Sequence, residues 1–92
     1  MKSVLQEKKE CLFCHSTNWL ENHHCFGSAN KKNSEKHGLV VWLCHYCHNE
    51  PPNGVHHNAE NMKKLRAIAQ RKFEETRPRE EFMSIFGRNY LD

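Results

Sequence analysis

The sequence predicts a small α+β domain in which a β-hairpin leads into helices, and three observations support this. The 92 residues suffice for one domain with a thin core. Two Cys-x-x-Cys pairs, at residues 11–14 and 44–47, enclose two strand-like runs. Apolar residues then recur at helical spacing. We therefore expect a single domain, with a lead-in at 1–10, a core at 11–58 and a helical tail at 59–92.

The two predicted strands cover residues 19–26 and 39–43, and the second is rich in β-branched and aromatic side chains. Residues 27–38, bounded by glycines, are predicted to form a polar loop. We expect Trp19 and Trp42 to pack across the strands in the core. Stacking of these rings on nucleobases is the weaker alternative.

Helices are predicted from the second cysteine pair onward. That pair should open a helical turn whose free N–H groups point at thiolate sulfur, and residues 51–54 should interrupt it. Asn58 is a candidate N-cap for a helix over 59–76, and Pro78 precedes a second helix over 79–86 that ends at Gly87. The apolar faces expected in the core contain Met62, Leu65, Ile68, Ala69 and Phe73 on the first helix and Phe82, Ile85 and Phe86 on the second.

The four paired cysteines, Cys11, Cys14, Cys44 and Cys47, suit one tetrahedral zinc ion. The spacing of 29 residues between the pairs, with a hairpin in the gap and a helix after it, fits a treble-clef arrangement. A total of five cysteines cannot pair completely into disulfides within one chain, and residues 1–10 lack the apolar segment of a signal peptide. We therefore expect metal-bound thiolates in a reducing cytoplasm. The fifth cysteine, Cys25, is interpreted as a buried apolar residue, with a metal or redox role as the alternative.

Charge is concentrated in residues 61–79, which contain seven basic and two acidic residues although the whole chain has a net charge of only +3. Such a basic surface is typical of proteins that bind a polyanion, nucleic acid above all. A solvated helix face is the equally weighted alternative.

The histidines form the second chemical feature, because seven of the eight lie close to the cysteines in sequence. His23 and His24 are adjacent on the first predicted strand, so their side chains should face opposite sides unless a bulge intervenes. Different roles would explain the pair: one imidazole would ligate a metal and its neighbour would act as a general base. The alternative is that one or both are ordinary surface or core histidines.

These motifs together resemble the HNH, or ββα-metal, nuclease superfamily. The resemblance rests on the two cysteine pairs, on His23-His24 and on His48 directly after the second pair. It is closest to small phage-encoded HNH-type proteins, through residues 34–44 and Gly54-Val55-His56, and the zinc layout is also similar to the endonuclease VII type of phage junction resolvase. It covers residues 11–58 well and the helical tail more loosely.

The resemblance implies a metal-dependent endonuclease that hydrolyses phosphodiester bonds in duplex or branched DNA. His24 would be the general base, and His23, His48 and His56 would bind the catalytic divalent metal, with His57 the weaker candidate. An all-imidazole site favours Mn²⁺, Ni²⁺, Co²⁺ or Zn²⁺ over Mg²⁺. Candidate DNA contacts are Lys31, Lys32, Lys36, Lys63 and Arg66, and a homodimer would allow cleavage of both strands.

One departure from the family pattern concerns the asparagine that orients the base histidine, because Leu39 occupies its position here. A backbone carbonyl or Asn22 is the expected substitute. If the site has lost activity, the alternative is a non-catalytic zinc module that binds nucleic acid or a host protein. A zinc nucleobase deaminase is excluded, because no His-x-Glu motif precedes a Pro-Cys-x-x-Cys motif.

Overall fold

A computed structural model describes residues 3–91, so Met1 and Lys2 of the predicted lead-in and Asp92 of the predicted tail lie outside the described residues. The predicted α+β class is confirmed: a two-stranded hairpin is combined with helices. In chain order the elements are β1 (Leu20–His24), a 3₁₀ turn (Ser28–Asn30), α1 (Lys31–Lys36), β2 (Val40–Cys44), α2 (His45–His48), α3 (Ala59–Glu74) and α4 (Arg79–Phe86).

The hairpin pairs β1 and β2 antiparallel, from Leu20 opposite Cys44 to His24 opposite Val40. The pairing runs without a bulge, so adjacent side chains face opposite sides of the ribbon. β1 ends at His24, two residues before the end of the predicted strand at 19–26, and it begins only after Trp19, which has a left-handed backbone (φ 51°). Its carbonyl accepts a hydrogen bond from the N–H of His45 at 3.0 Å, which ties the start of β1 to the start of α2.

The connection between the strands differs from the predicted polar loop, because it contains the 3₁₀ turn and α1. Ser34 anchors α1: its hydroxyl accepts from the Phe26 N–H at 3.1 Å and donates to the Phe26 carbonyl at 2.7 Å. Gly38, with φ 71°, provides the left-handed residue after the helix. The polar composition concealed this helix, although lysine and glutamate are good helix formers.

The core lies between the hairpin and the two C-terminal helices. Phe26, after β1, contacts Phe82 and Phe86 of α4 with ring centroids 5.4 Å and 4.7 Å apart. On the predicted apolar face of α3, Leu65, Ala69 and Phe73 are buried. Ile68 is 37% exposed, so its predicted core position is wrong. Residues of the cysteine-containing core at 11–58 and of the helical tail therefore share one apolar cluster.

The boundaries of the C-terminal helices follow their capping residues. The side chain of Asn58 accepts a hydrogen bond from the N–H of Asn61 at 3.0 Å, which confirms the predicted N-cap of α3. α3 ends at Glu74, two residues before the predicted end. α4 has its predicted bounds, and Gly87 ends it in the left-handed region at φ 88°.

The two tryptophans do not pack together in the core as predicted. Trp19 is 72% exposed and its ring meets Tyr46 edge-on with the centroids 6.2 Å apart. The left-handed turn at Trp19 removes the residue from the ribbon, which is why it cannot join a cross-strand pair. Trp42 is half-buried, and the Lys9 ammonium lies 4.6 Å from the centre of its ring.

The described part of the predicted lead-in is attached to the body. Val4 donates its N–H to the Gly38 carbonyl at 2.9 Å, and the Gln6 amide oxygen accepts from the Trp42 N–H at 2.8 Å. Leu5 packs against the core. None of the helices within residues 3–91 has the length and apolar character needed to cross a membrane.

Candidate metal centres

The four paired cysteines converge in space as predicted. The sulfur atoms of Cys11, Cys14, Cys44 and Cys47 all lie within 4.8 Å of one another, and those of Cys14 and Cys44 are 3.5 Å apart. Zinc–sulfur bonds of about 2.3 Å in a tetrahedron place sulfur atoms about 3.8 Å apart. The group, which we call the cysteine centre, could therefore hold a structural zinc ion.

Backbone geometry positions both cysteine pairs. The first pair forms a turn in which the His15 N–H donates to the Cys11 carbonyl at 2.9 Å, and Leu12 donates to Trp42 on β2 at 3.0 Å. Cys44 ends β2 and is also the N-cap of α2, and Cys47 lies within that helix. The prediction that the second pair opens a helical turn is confirmed.

The thiols have unequal acidity. Burial opposes ionisation of Cys11, but nearby backbone N–H groups outweigh it and lower the pKa of this thiol to about 7. Burial raises the pKa of the Cys47 thiol, so a bound cation would be needed to ionise it at neutral pH. Cys25 is 1% exposed, its pKa is raised to about 12 by burial, and it lies outside the cysteine centre, as its apolar interpretation predicts.

Three of the predicted histidine ligands form a second group. His48 Nε2 lies 3.2 Å from His23 Nδ1 and 3.0 Å from His56 Nε2, and all three nitrogens lie within 4.8 Å of one another. The weaker candidate, His57, is exposed and is not part of the group. We call His23, His48 and His56 the histidine centre. Metal–nitrogen bonds of about 2.0–2.1 Å fit nitrogens at these separations, so the three side chains could hold one divalent metal.

The secondary structure explains this convergence. His23 projects from β1, His48 ends α2, and His56 follows the turn that the prolines impose between α2 and α3. The N–H of His56 donates to the His48 carbonyl at 3.2 Å, and Gly54 donates to the Glu50 carbonyl at 2.7 Å. A Cβ at Gly54 would lie 2.7 Å from backbone atoms of Glu50, so this tight turn requires glycine.

Lowered pKa values favour the neutral, metal-binding form of two members of the histidine centre, His23 and His56. His23 is 6% exposed, and burial, followed by the neighbouring charge of His48, lowers its pKa to about 3. Burial also lowers the pKa of His56. Within residues 3–91, His23 Nε2 is one of two buried side-chain polar atoms with no hydrogen-bond partner. Neutral imidazole is the form that ligates metals.

A carboxylate supports this centre, and the sequence analysis missed it. Glu21 Oε1 accepts from His48 Nδ1 at 2.8 Å and from the Asn49 amide at 2.9 Å, while Glu21 Oε2 lies 3.2 Å from His45 Nδ1. The hydrogen bond from His48 lowers the pKa of Glu21. A carboxylate on the far nitrogen of a ligating histidine fixes its tautomer and orientation. Strand alternation could have revealed Glu21, since residues 21 and 23 share one face.

His24 lies on the other face of β1 and contacts α1. Its Nε2 is 2.8 Å from Glu35 Oε1, and the hydrogen bond lowers the pKa of Glu35. Asn22 does not replace the missing asparagine, because its Oδ1 has no hydrogen-bond partner within residues 3–91. Leu39 is fully buried; its N–H donates to the Ser34 carbonyl and its carbonyl accepts from the Cys25 N–H. The local sequence held no signal for Glu35, because α1 was not predicted.

The candidate DNA contacts lie on two helices. Lys31, Lys32 and Lys36 are exposed on α1, which also carries Glu35. Lys63 is exposed and Arg66 half-buried on α3, and Arg66 Nε donates to the Cys25 carbonyl at 3.4 Å. These positions leave the cations accessible, and their binding to DNA stays a prediction.

Comparison with known proteins adds no identification. No family model, no curated protein and no solved structure matches this chain. The resemblance to HNH nucleases therefore stays an interpretation of the motifs.

Proposed function

We propose that this protein is a metal-dependent endonuclease of HNH type that hydrolyses phosphodiester bonds in DNA. The observation that carries the proposal is the histidine centre: three imidazole nitrogens from three separate elements converge within 4.8 Å. Structural metal sites usually have four protein ligands and no open position. A site with only three protein ligands leaves one coordination position for substrate or water.

The two centres divide the work in this proposal. The cysteine centre would hold a structural zinc ion and fix the hairpin against α2, in a treble-clef arrangement. The histidine centre would hold a divalent metal, whose chemistry when bound is Lewis-acid stabilisation of negative charge on the scissile phosphate and the leaving oxygen. His48 would be oriented for this role by Glu21, which accepts from its far nitrogen at 2.8 Å.

His24 serves as the general base. An ionised carboxylate only accepts hydrogen bonds, so the contact with Glu35 assigns the proton of the neutral ring to Nε2 and leaves the lone pair on Nδ1. Nδ1 takes the proton of the attacking water as its oxygen bonds to phosphorus. The bond to the leaving oxygen breaks, and that oxygen takes a proton from solvent.

The positions of the residues constrain how DNA must approach. His24 is the last residue of β1 and faces the side opposite His23. The proposal therefore requires the scissile phosphate to lie across the end of β1, between the two faces. Lys31, Lys32 and Lys36 on α1 would contact the backbone on the Glu35 side, and a second protomer would supply the second cut in duplex DNA.

Nicking of supercoiled plasmid tests this function. Wild type, His24→Ala and His57→Ala are assayed with Mg²⁺, Mn²⁺, Co²⁺, Ni²⁺ or Zn²⁺, and the zinc content and circular dichroism of each are recorded. We expect nicking by wild type and by the exposed control His57→Ala. Loss of the general base in folded His24→Ala should reduce the rate by about 10²- to 10⁴-fold.

Other outcomes reject parts of the proposal. Equal nicking by His24→Ala and wild type would exclude His24 as the base. Absence of nicking with every metal, on plasmid and on branched DNA, would reject the nuclease. The specific observation that favours a non-catalytic nucleic-acid-binding module is the separation of His24 and His23 onto opposite faces, and retained DNA binding without nicking would select it.

A further inference from the structure

A basic cavity lies between the first half of α3 and the segment after α4. Its volume is about 400 Å³, and its lining includes Lys63 and Arg66 from α3 and Arg88 and Tyr90 from the C-terminal segment. No aspartate or glutamate of residues 3–91 lines it. We call it the C-terminal cavity, and it differs from the histidine centre in both its residues and its chemistry.

An aromatic ring holds two of the cations in place. The guanidinium carbons of Arg66 and Arg88 lie 5.5 Å and 5.2 Å from the centre of the Tyr90 ring, within the range of cation–π attraction. Tyr90 is half-buried and packs against the core, with its ring 5.0 Å from that of Phe26. The two guanidinium groups are thus anchored by a ring that cannot neutralise them.

These cations lack acidic partners in the described chain. The basic residues Lys72, Arg77 and Arg79 are paired with Glu75, Glu81 and Glu74 respectively. By contrast, Lys63, Arg66 and Arg88 form no ion pair with any carboxylate of residues 3–91. Unpaired cations at the edge of one cavity repel one another, and an anion placed between them removes that repulsion.

We propose that the C-terminal cavity binds a phosphate of the DNA backbone, with Lys63, Arg66 and Arg88 as its cationic ligands. A guanidinium group presents several N–H donors that match phosphate oxygens. The location suits a DNA path past the histidine centre, because Arg66 donates to the Cys25 carbonyl, two residues after His23. The inference rests on the proposed function in one respect, that DNA is the substrate.

The salt dependence of DNA binding tests this site. Binding of a labelled DNA duplex is followed by fluorescence anisotropy over a range of salt concentrations for wild type, Arg88→Gln and Arg71→Gln. Arg71 is the matched control, since it is exposed on α3 and outside the cavity. The slope of log K against log[salt] is negative, and loss of one phosphate contact should reduce its magnitude by about one. We expect this change in Arg88→Gln and not in Arg71→Gln.

The outcomes separate this site from the nuclease activity. Equal effects of the two substitutions would mean that only net charge matters, which would overturn the cavity as a phosphate site. Unchanged slopes in both variants, or no DNA binding by wild type, would overturn it as well. If wild type nicks plasmid while Arg88→Gln binds like wild type, the phosphate site fails and the nuclease stands. If Arg88→Gln reduces the magnitude of the salt-dependence slope but no metal supports nicking, the phosphate site stands and the nuclease fails.

Discussion

The contact between His24 and Glu35 is the residue-scale feature on which the proposed chemistry most depends. The carboxylate lies 2.8 Å from Nε2 and so determines which ring nitrogen carries the proton. Leu39, at the position where many HNH motifs have asparagine, is a core residue with no exposed surface. In the proposed site, His24 would be oriented instead by Glu35, a carboxylate on α1.

Removal of Glu35 should release the His24 ring. In Glu35→Ala we expect the Nε2–H tautomer to give way to a mixture of tautomers, because the carboxylate no longer selects it, and plasmid nicking to fall roughly 10-fold. Long-range ¹H–¹⁵N NMR of the imidazole at mildly alkaline pH measures the tautomer without relying on activity. Glu7→Gln, an exposed acidic residue in the N-terminal segment, is the control. A wild-type ring with its proton on Nδ1 would contradict the assignment.

Among the elements, α3 and α4 are joined by polar contacts as well as by their apolar faces. Glu74 at the end of α3 accepts from the Gln70 amide at 2.7 Å and from Arg79 Nε of α4 at 3.1 Å. Gln70 is fully buried, and its Oε1 accepts from the Tyr90 N–H at 2.7 Å. This network aligns α3 with α4 and also holds Tyr90, which lines the C-terminal cavity.

The contacts of Glu74 with Gln70 and Arg79 should make the stability of the protein pH-dependent. The hydrogen bond from Gln70, followed by Arg79, lowers the pKa of Glu74 below its ordinary value of 4.5. The unfolded chain therefore binds the proton more readily, so this stabilisation is present above pH 4.5 and is lost as the pH falls through the folded-state pKa. We expect Glu74→Gln to be less stable than wild type at neutral pH and this difference to shrink in acid. Urea unfolding of both proteins at each pH measures it, and a difference independent of pH would contradict it.

Local sequence signals predicted α3 and α4 better than they predicted the connection between the two strands of the hairpin. Asn58, Pro78 and Gly87 act on their own neighbours, so their effects can be read from the chain. α1 is fixed instead by Ser34, which must meet the backbone of Phe26 eight residues earlier. The partners of the candidate site were hidden for the same reason: Glu35 reaches His24 across 11 residues and Glu21 reaches His48 across 27.

At the scale of the whole molecule, the cysteine centre and the aromatic core are parts of one packed cluster. Cys11 and Cys44 are buried in the same cluster as Phe26, Phe73 and Phe82. Zinc held by the four cysteines would therefore contribute directly to folding of the hairpin, and through Phe26 to docking of α3 and α4. The spacing of the cysteines predicted the centre, but only the fold joins it to the helical tail.

Removal of zinc should therefore unfold both halves together. With a chelator and a thiol reductant present, we expect far-ultraviolet circular dichroism, which follows the helices, and tryptophan fluorescence, which follows the hairpin, to be lost in one transition. Re-addition of Zn²⁺ should restore both. Helical signal that survives while tryptophan fluorescence changes would mean that the tail folds independently of the cysteine centre.

The number of metal ions bound per chain tests the central claim, that the protein carries two distinct centres. Native mass spectrometry is performed on wild type, His56→Ala and the neighbouring control His57→Ala, after loading with excess Zn²⁺ and exchange into metal-free buffer. We expect two ions in wild type and in His57→Ala, and one in His56→Ala, because the remaining ion stays on the four thiolates. One ion in all three proteins, or two in all three, would contradict the histidine centre as a metal site.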